Sequence, residues 1–330
     1  MSALPIGLVG VGHVHAPGYA RLLAGGDYAR LVGFVEADDA LAARFAAQTG
    51  ARRLPDVAAL RAAGARAAIV AGDNRSRLEG LAAALDASLP ALAEKPLGLA
   101  PGEAASVVAA FARAGLTLGV ALPMRFSPAI EAMVAAVRER DAVGRLVALL
   151  GENVARYPGG WFGEPERSGG GCLTDHTAHV ADVFARLTDL RPVRVTTLAG
   201  DFLPSGAERT ATLMIDYPGG LYATLDASWA RPDAYPVWGG LSVAVVGERG
   251  VIEANPFAER FTLWGERPEL VGTGDDLDDA MLRDFARAAA AGRPTRATGR
   301  DGLRALCLQA AAQRSLATGE AAPVEEPPGA

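Results

Sequence analysis

Short apolar runs and alanine-rich helical patterns alternate through the first third of the chain. The runs at 6–9, 31–35, 67–71, 91–93 and 117–120 predict strands. The patterns at 17–23, 40–48, 77–86 and 103–114 predict the helices between them. Strands alternating with helices imply βαβ units and a parallel sheet. No repeat of fixed period interrupts the pattern.

Past Leu122 the texture changes. Ser127-Pro128 pairs a capping hydroxyl with a proline at the first helical position, predicting a helix that runs to about Arg140. A strand over 146–154 follows, then the glycine-rich loop Pro158-Gly159-Gly160-Trp161-Phe162 and a helix from near Thr174. From Val193 to about Trp264 strand follows strand. The segments 210–216 and 221–229 read as a hairpin around Tyr217-Pro218-Gly219-Gly220, and 243–246 with 250–253 as a second pair. Helices near 277–290 and 302–316 close the chain. The expected fold class is therefore α/β. Residues 1–122 form a nucleotide-binding domain with a doubly wound parallel sheet. Residues 123–330 form an α+β domain with a large, mostly antiparallel open sheet, and the tail from about Gly319 is expected to be disordered.

Composition narrows the function. Half of the 330 residues are apolar, ample for a sizeable core. A net charge of −6 with no basic block argues against nucleic acid or an anionic membrane as partner. No apolar run is long enough for a membrane span, and the N-terminus lacks the basic region of a signal peptide. Cys172 and Cys307 lie far apart and form neither a disulfide framework nor a zinc pattern, which suits a reduced, cytoplasmic setting.

The scarce residue types are more telling. Of 32 basic positions 31 are arginine, and the single lysine is Lys95 in Glu94-Lys95-Pro96. In a chain so biased towards arginine, a surviving lysine marks a place where a compact ammonium is needed and a broad planar fork would not serve. The four histidines fall in two tight groups, His13 with His15 and His176 with His179. Histidine carries proton chemistry near neutral pH.

Three constellations carry the candidate chemistry. Gly10 and Gly12, with His13 and Val14, follow the first strand as the first two glycines of a dinucleotide fingerprint; His15 stands where the third small residue is expected. Glu36, 21 residues after His15, suits an acid bonding ribose hydroxyls, and no arginine follows it directly to take a 2′-phosphate, so NAD is favoured over NADP. Glu94-Lys95-Pro96 then falls at the carboxyl end of a later strand of the same sheet, where ligands bind in doubly wound folds. Finally, Gly169-Gly170-Gly171 leads into Asp175, His176, His179 and Asp182. Asp175 and His179 are spaced i,i+4 with Asp182 at i+7, an acid–imidazole–acid face able to hold a histidine and receive a hydroxyl proton. His176 lies about 100° round the helix and either contacts substrate or caps. A zinc site on these residues lacks a third ligand cluster, so no metal is assigned.

Taken in order, these motifs resemble the glucose–fructose oxidoreductase/inositol dehydrogenase family (Gfo/Idh/MocA). Arg125-Phe126-Ser127-Pro128, Asp284-Phe285 and Asp301-Gly302 add weaker matches. The resemblance implies a Rossmann domain followed by a sheet-rich domain that assembles homodimers or homotetramers. It implies hydride transfer between a nicotinamide and a carbinol or carbonyl of a sugar, inositol or related polyol. The positions matching its catalytic group are Lys95, Asp175 and His179. Those matching its cofactor contacts include Gly72, Asp73 and Asn74, where this chain lacks the usual proline and histidine and carries Asp73 and Arg77. Arg125, Tyr157, Trp161 and His176 are candidate substrate residues, and Trp161 reads equally well as a core aromatic. Three other readings stay open: a glycosidase that retains NAD, a non-catalytic NAD- or sugar-sensing protein, and a zinc enzyme.

Overall fold

The computed structural model describes residues 3–139, 141–235, 237–258, 260–264, 268–272 and 274–327. Two compact units divide the chain: Met1–Ala121 with Asp278–Leu303, and Leu122–Leu277 with Arg304–Glu326.

In the first unit the order is β1 (Leu4–Val9), α1 (Ala16–Gly25), β2 (Ala29–Val35), α2 (Asp39–Thr49), α3 (Val57–Ala62), β3 (Ala67–Val70), α4 (Arg77–Asp86), β4 (Ala91–Ala93), α5 (Pro101–Arg113) and β5 (Leu118–Val120). The five strands form one parallel sheet in the order β2-β1-β3-β4-β5. The order reverses between β1 and β3, the switch point at which such sheets open a crevice. Every residue of β3 and β4 is buried, as apolar runs covered on both faces should be. Helix α3 was not expected. Its six residues are too few for a period, and its signal is Asp56, whose carboxylate accepts the Ala59 N–H at 2.7 Å as an N-cap.

The second unit holds α6 (Pro128–Arg138), β6 (Leu146–Ala155), α7 (Pro165–Ser168), α8 (Cys172–Leu187), β7 (Arg194–Phe202), β8 (Glu208–Asp216), β9 (Tyr222–Ser228), β10 (Gly239–Gly247), β11 (Gly250–Ala254), β12 (Arg260–Trp264) and β13 (Pro268–Gly272). Then come α9 (Leu277–Ala291), α10 (Gly299–Thr318) and β14 (Ala322–Pro323). Seven strands form a mixed sheet, β11-β10-β6-β9-β8-β7-β14, antiparallel throughout except for the parallel β6–β9 pair. Strands β12 and β13 make a separate two-stranded sheet. Helix α8 packs on the large sheet. Gly151 of β6 makes room for it, since a Cβ there would meet Val180 Cγ1 at 2.3 Å and Phe184 Cζ at 2.9 Å.

Two expectations are corrected. The domains are not contiguous, because 278–303 returns to the first unit. There Ala297 accepts the Val120 N–H at 3.1 Å, Thr298 bridges Gly119, and Arg293 O accepts from Thr117 at 2.9 Å. An amphipathic pattern says that a helix needs a partner, not which one. The tail is ordered through the described residues: Ala322 and Pro323 pair with Val195 and Arg194, and Val324 N–H donates to Val193 O at 3.0 Å. It occupies the edge of the sheet, where unpaired backbone groups need a partner. The expected helix end at Arg140 and the last three residues of the tail lie outside the described residues.

The N-cap of α8 is Gly171, which passes against β8; a Cβ there would meet Glu208 O at 2.0 Å and Glu208 N at 2.6 Å. Both are backbone atoms that cannot swing away. Gly171→Ala should therefore lower unfolding stability by about 1–3 kcal/mol, read as a shifted denaturant midpoint. An unchanged midpoint would show that this approach is not tight.

Candidate active site

In the first unit, four candidate segments follow the carboxyl ends of four adjacent strands: Gly10 after β1, Glu36 after β2, Gly72 just beyond β3, and Glu94-Lys95 after β4. Gly10 adopts φ +70°, and a Cβ on it would meet Gly72 Cα at 2.6 Å, so the β1 and β3 turns touch backbone to backbone. Glu36 is fixed by main-chain donors, with Val11 N–H on one carboxylate oxygen and Asp38 N–H on the other, both at 3.0 Å. A turn with glycine at two positions ahead of α1, together with an oriented acid, fits a dinucleotide: Gly10 and Gly12 for the pyrophosphate and Glu36 for ribose hydroxyls. Val14 is 43% exposed beside that turn.

Lys95 is 4% exposed and Glu94 fully buried. Glu94 is a hub. One carboxylate oxygen accepts from the Tyr19 hydroxyl at 2.5 Å and from His15 Nδ1 at 2.9 Å; the other accepts the Lys95 N–H at 3.0 Å. His13 Nδ1 lies 3.3 Å from the first oxygen. Burial alone would raise the Glu94 carboxyl, but the fields of His13, His15 and Lys95 outweigh it and hold the group well below the usual carboxylate range. Burial drives His13 down, whereas for His15 the Glu94 charge overcomes burial and the net shift is upward. His13, His15 and Glu94 are also the one group, among the described residues, whose ligand-type atoms all lie within 4.8 Å of one another.

The departures at Asp73 and Arg77 have a structural account. Arg77 is fully buried and donates to Asn74 Oδ1 at 2.8 Å, Pro96 O at 2.6 Å and Gly72 O at 3.0 Å, tying the β3 turn to the segment after Lys95. The Asp73 carboxylate accepts from the Ser76 N–H at 2.9 Å and the Ser76 hydroxyl at 2.6 Å. The side chains of Asp73 and Asn74, expected as cofactor contacts, are thus engaged within their own turn. Neither Tyr19 nor Arg77 was singled out as a site residue; Tyr19 gives no signal in sequence beyond its helical position. Tyr19→Phe removes a donor to a buried carboxylate and should cost about 1.5–3 kcal/mol of unfolding stability by thermal or denaturant melt; an unaltered melt would remove Tyr19 from the hub.

In the second unit, α8 carries Asp175, His176 and His179. From Cys172 to Phe184 every residue is buried except His179, which is half-buried. Asp175 Oδ2 accepts from Trp229 Nε1 at 3.0 Å and lies 3.2 Å from His176 Nε2. Asp182 does not present a free acid. Its carboxylate takes the Arg125 guanidinium, with Nε at 2.9 and 3.1 Å from its two oxygens and NH2 at 2.6 Å. That corrects the acid–imidazole–acid face and engages Arg125, a candidate substrate residue, in a partly buried ion pair. Trp161 is 7% exposed and stacks on Phe162 at 4.0 Å, the core reading of that residue. Tyr157, 36% exposed, packs its ring 5.2 Å from Trp229. Glu208 accepts from Gly171 N–H at 2.7 Å and Leu173 N–H at 3.2 Å, placing a carboxylate at the start of α8. Trp229, Asn153 and Glu208 were not singled out in the sequence; each is brought to α8 from a distant strand or its end, and no local spacing announces that.

Residues 4–122 match the family model described as an oxidoreductase family with an NAD-binding Rossmann fold, and 132–253 match that of the GFO/IDH/MocA C-terminal domain. The chain is 30% identical over 337 residues to inositol 2-dehydrogenase 2 of Saccharopolyspora erythraea, covering 98% of this chain and 96% of that one. It is 28% identical over 302 residues to myo-inositol dehydrogenase Hyg17 of Streptomyces leeuwenhoekii, covering 86% and 89%. Among solved structures, GenD2 from gentamicin A biosynthesis, crystallised with NAD, superposes with a TM-score of 0.86 at 22% identity, covering 98% and 97%. No helix among the described residues is long and apolar enough to cross a membrane.

Proposed function

The chain belongs to the GFO/IDH/MocA family of NAD-dependent oxidoreductases, and from that premise we propose that it moves hydride between NAD and a carbinol or carbonyl carbon of an inositol, sugar or related polyol. The observation that carries this reading is Lys95. The chain's single lysine sits almost fully buried at the carboxyl end of β4, its peptide N–H anchored on a carboxylate that three further side chains crowd.

Bound NAD supplies the atom that accepts hydride in oxidation and returns it in reduction. Everything else falls to the protein. Gly10 and Gly12 give the pyrophosphate a bare backbone, and Glu36 takes the ribose hydroxyls. A carboxylate there disfavours a 2′-phosphate, and the nearby Arg53 is engaged by Asp39 at 2.7 Å and Glu36 O at 2.6 Å, so NAD is preferred to NADP. Lys95 donates to the reacting oxygen and steadies negative charge as it develops there, as a preorganised donor does. In oxidation the carbinol carbon loses hydride and its oxygen loses a proton, and His179 receives that proton; reduction runs in reverse. Lys95 and His179 can exchange these roles. Asp175 is the acid of the group.

The test is a panel of inositols, sugars and sugar acids incubated with NAD and separately with NADP, followed by the absorbance of the reduced nicotinamide. Turnover on a polyol with NAD is expected. No reduction across the panel, with cleavage of a glycoside and no net absorbance change, would replace this reading with an NAD-retaining glycosidase.

A further inference from the structure

His176 is buried and makes two contacts that fix where its protons lie. Its Nδ1 stands 2.9 Å from the main-chain carbonyl of Asn153, and its Nε2 stands 3.2 Å from Asp175 Oδ2. A carbonyl oxygen only accepts, so Nδ1 carries a proton and donates it. With Nδ1 so committed, an imidazole bearing a single proton would turn the Nε2 lone pair towards a carboxylate oxygen. Two facing acceptors at that distance, both shielded from water, are costly. A proton between them removes the conflict.

From this geometry we propose that Asp175 and His176 hold one proton in common, which makes His176 a positioning residue for Asp175. Deepening the reading above, this assumes that Asp175 belongs to the catalytic group. The surroundings are built for such a pair. Trp229 donates to Asp175 Oδ2 at 3.0 Å, and its ring stands edge-on to His176 with centroids 6.4 Å apart. Asn153 engages His176 twice: its carbonyl accepts from the ring, and its side-chain amide donates to the His176 carbonyl at 3.3 Å. Asn153, Asp175, His176 and Trp229 are each less than 9% exposed. The other titratable groups nearby are His179 and Cys172 on α8, Glu208 at its start, and Tyr157 against Trp229.

The consequence is chemical. Asp175 is not an isolated carboxylate one turn ahead of His179, free to choose its rotamer and carrying a full buried charge. It is half of a neutralised pair whose Oδ2 is held by two ring N–H groups. His176 acts through it rather than on the substrate.

Two substitutions separate the contacts. In His176→Asn the amide stands in for Nδ1, keeping the Asn153 bond and deleting the one to Asp175. In His176→Gln the amide reaches the Nε2 position and donates to Asp175 without titrating. His176→Asn should lower kcat roughly 10- to 100-fold, the size of one lost hydrogen bond to a charged group, with the KM for NAD unchanged. His176→Gln should recover most of that loss. If the two variants fall equally, or if only the polyol KM rises, the proposal is overturned. A measurement independent of turnover completes the test. With four histidines in the chain, ring ¹⁵N and ¹H signals can be assigned by single substitutions. The intact protein should show a slowly exchanging proton coupled to the His176 ring beyond the one on Nδ1, absent in Asp175→Asn. Its absence from the intact protein overturns the shared proton and leaves the oxidoreductase reading untouched. Its presence in a protein that transfers hydride from none of the carbinols tested overturns only the oxidoreductase reading.

Discussion

Lys95→Arg should lower turnover by roughly 10²- to 10⁴-fold, the range for losing a positioned proton-handling or charge-stabilising group, while NAD binds within a few-fold of the parent. The two side chains carry the same charge, so a general electrostatic contribution would survive the exchange. What does not survive is shape. Lys95 is 4% exposed, and its main chain is pinned on both sides: its N–H on Glu94 at 3.0 Å, and Pro96 O on buried Arg77 at 2.6 Å. A planar guanidinium with five fixed donors cannot deliver its charge to the point a compact ammonium occupies, and the pinned backbone cannot retreat to make room. The dinucleotide contacts assigned to Gly10, Gly12 and Glu36 lie on other turns, so affinity for NAD by calorimetric titration should hold. Near-normal turnover in this variant would remove Lys95 from the chemistry.

His179→Ala should cost turnover in the same range, roughly 10²- to 10⁴-fold, with partial recovery when free imidazole is added. Twelve of the thirteen positions from Cys172 to Phe184 are buried, and the half-buried one is His179. An imidazole that the fold leaves partly reachable on an otherwise buried stretch of α8 is placed for something that arrives from outside. Truncating it opens space that a small imidazole can fill, so rescue of kcat separates a missing proton acceptor from a distorted helix. A variant that keeps its turnover, or one that imidazole does not improve and that melts early, would assign His179 to structure.

Much of this was legible in the sequence, for identifiable reasons. Strands buried on both faces leave continuous apolar runs, so β1 to β5 were visible within a residue or two, and glycines at strand ends marked the dinucleotide turn. Composition did the rest of the work at Lys95 and at the histidine groups, because a chain this poor in lysine and histidine spends each one. Contacts between distant segments were not legible. Glu94 reads as one member of a tripeptide motif, and nothing near it in sequence shows that Tyr19, His13 and His15 converge on its carboxylate. Asp182 looks like a second acid on a helix face until Arg125 is seen on it. His176 reads as a substrate contact or a cap until Asn153 and Asp175 are seen at its two ring nitrogens. The return of 278–303 to the first unit failed for the same reason: periodicity reports that a face must be covered and leaves its partner unnamed.

The central claim is that hydride leaves the carbon of a carbinol while the buried lysine steadies the oxygen. The most direct measurement uses a polyol accepted in the screen, deuterated at the reacting carbon, with NAD and either the parent protein or Lys95→Arg. The parent should pass deuterium to the nicotinamide with little loss to solvent, and the variant should bind NAD equally well yet make the transfer orders of magnitude more slowly. Reduced nicotinamide free of deuterium, or equal transfer rates in the two proteins, would contradict it.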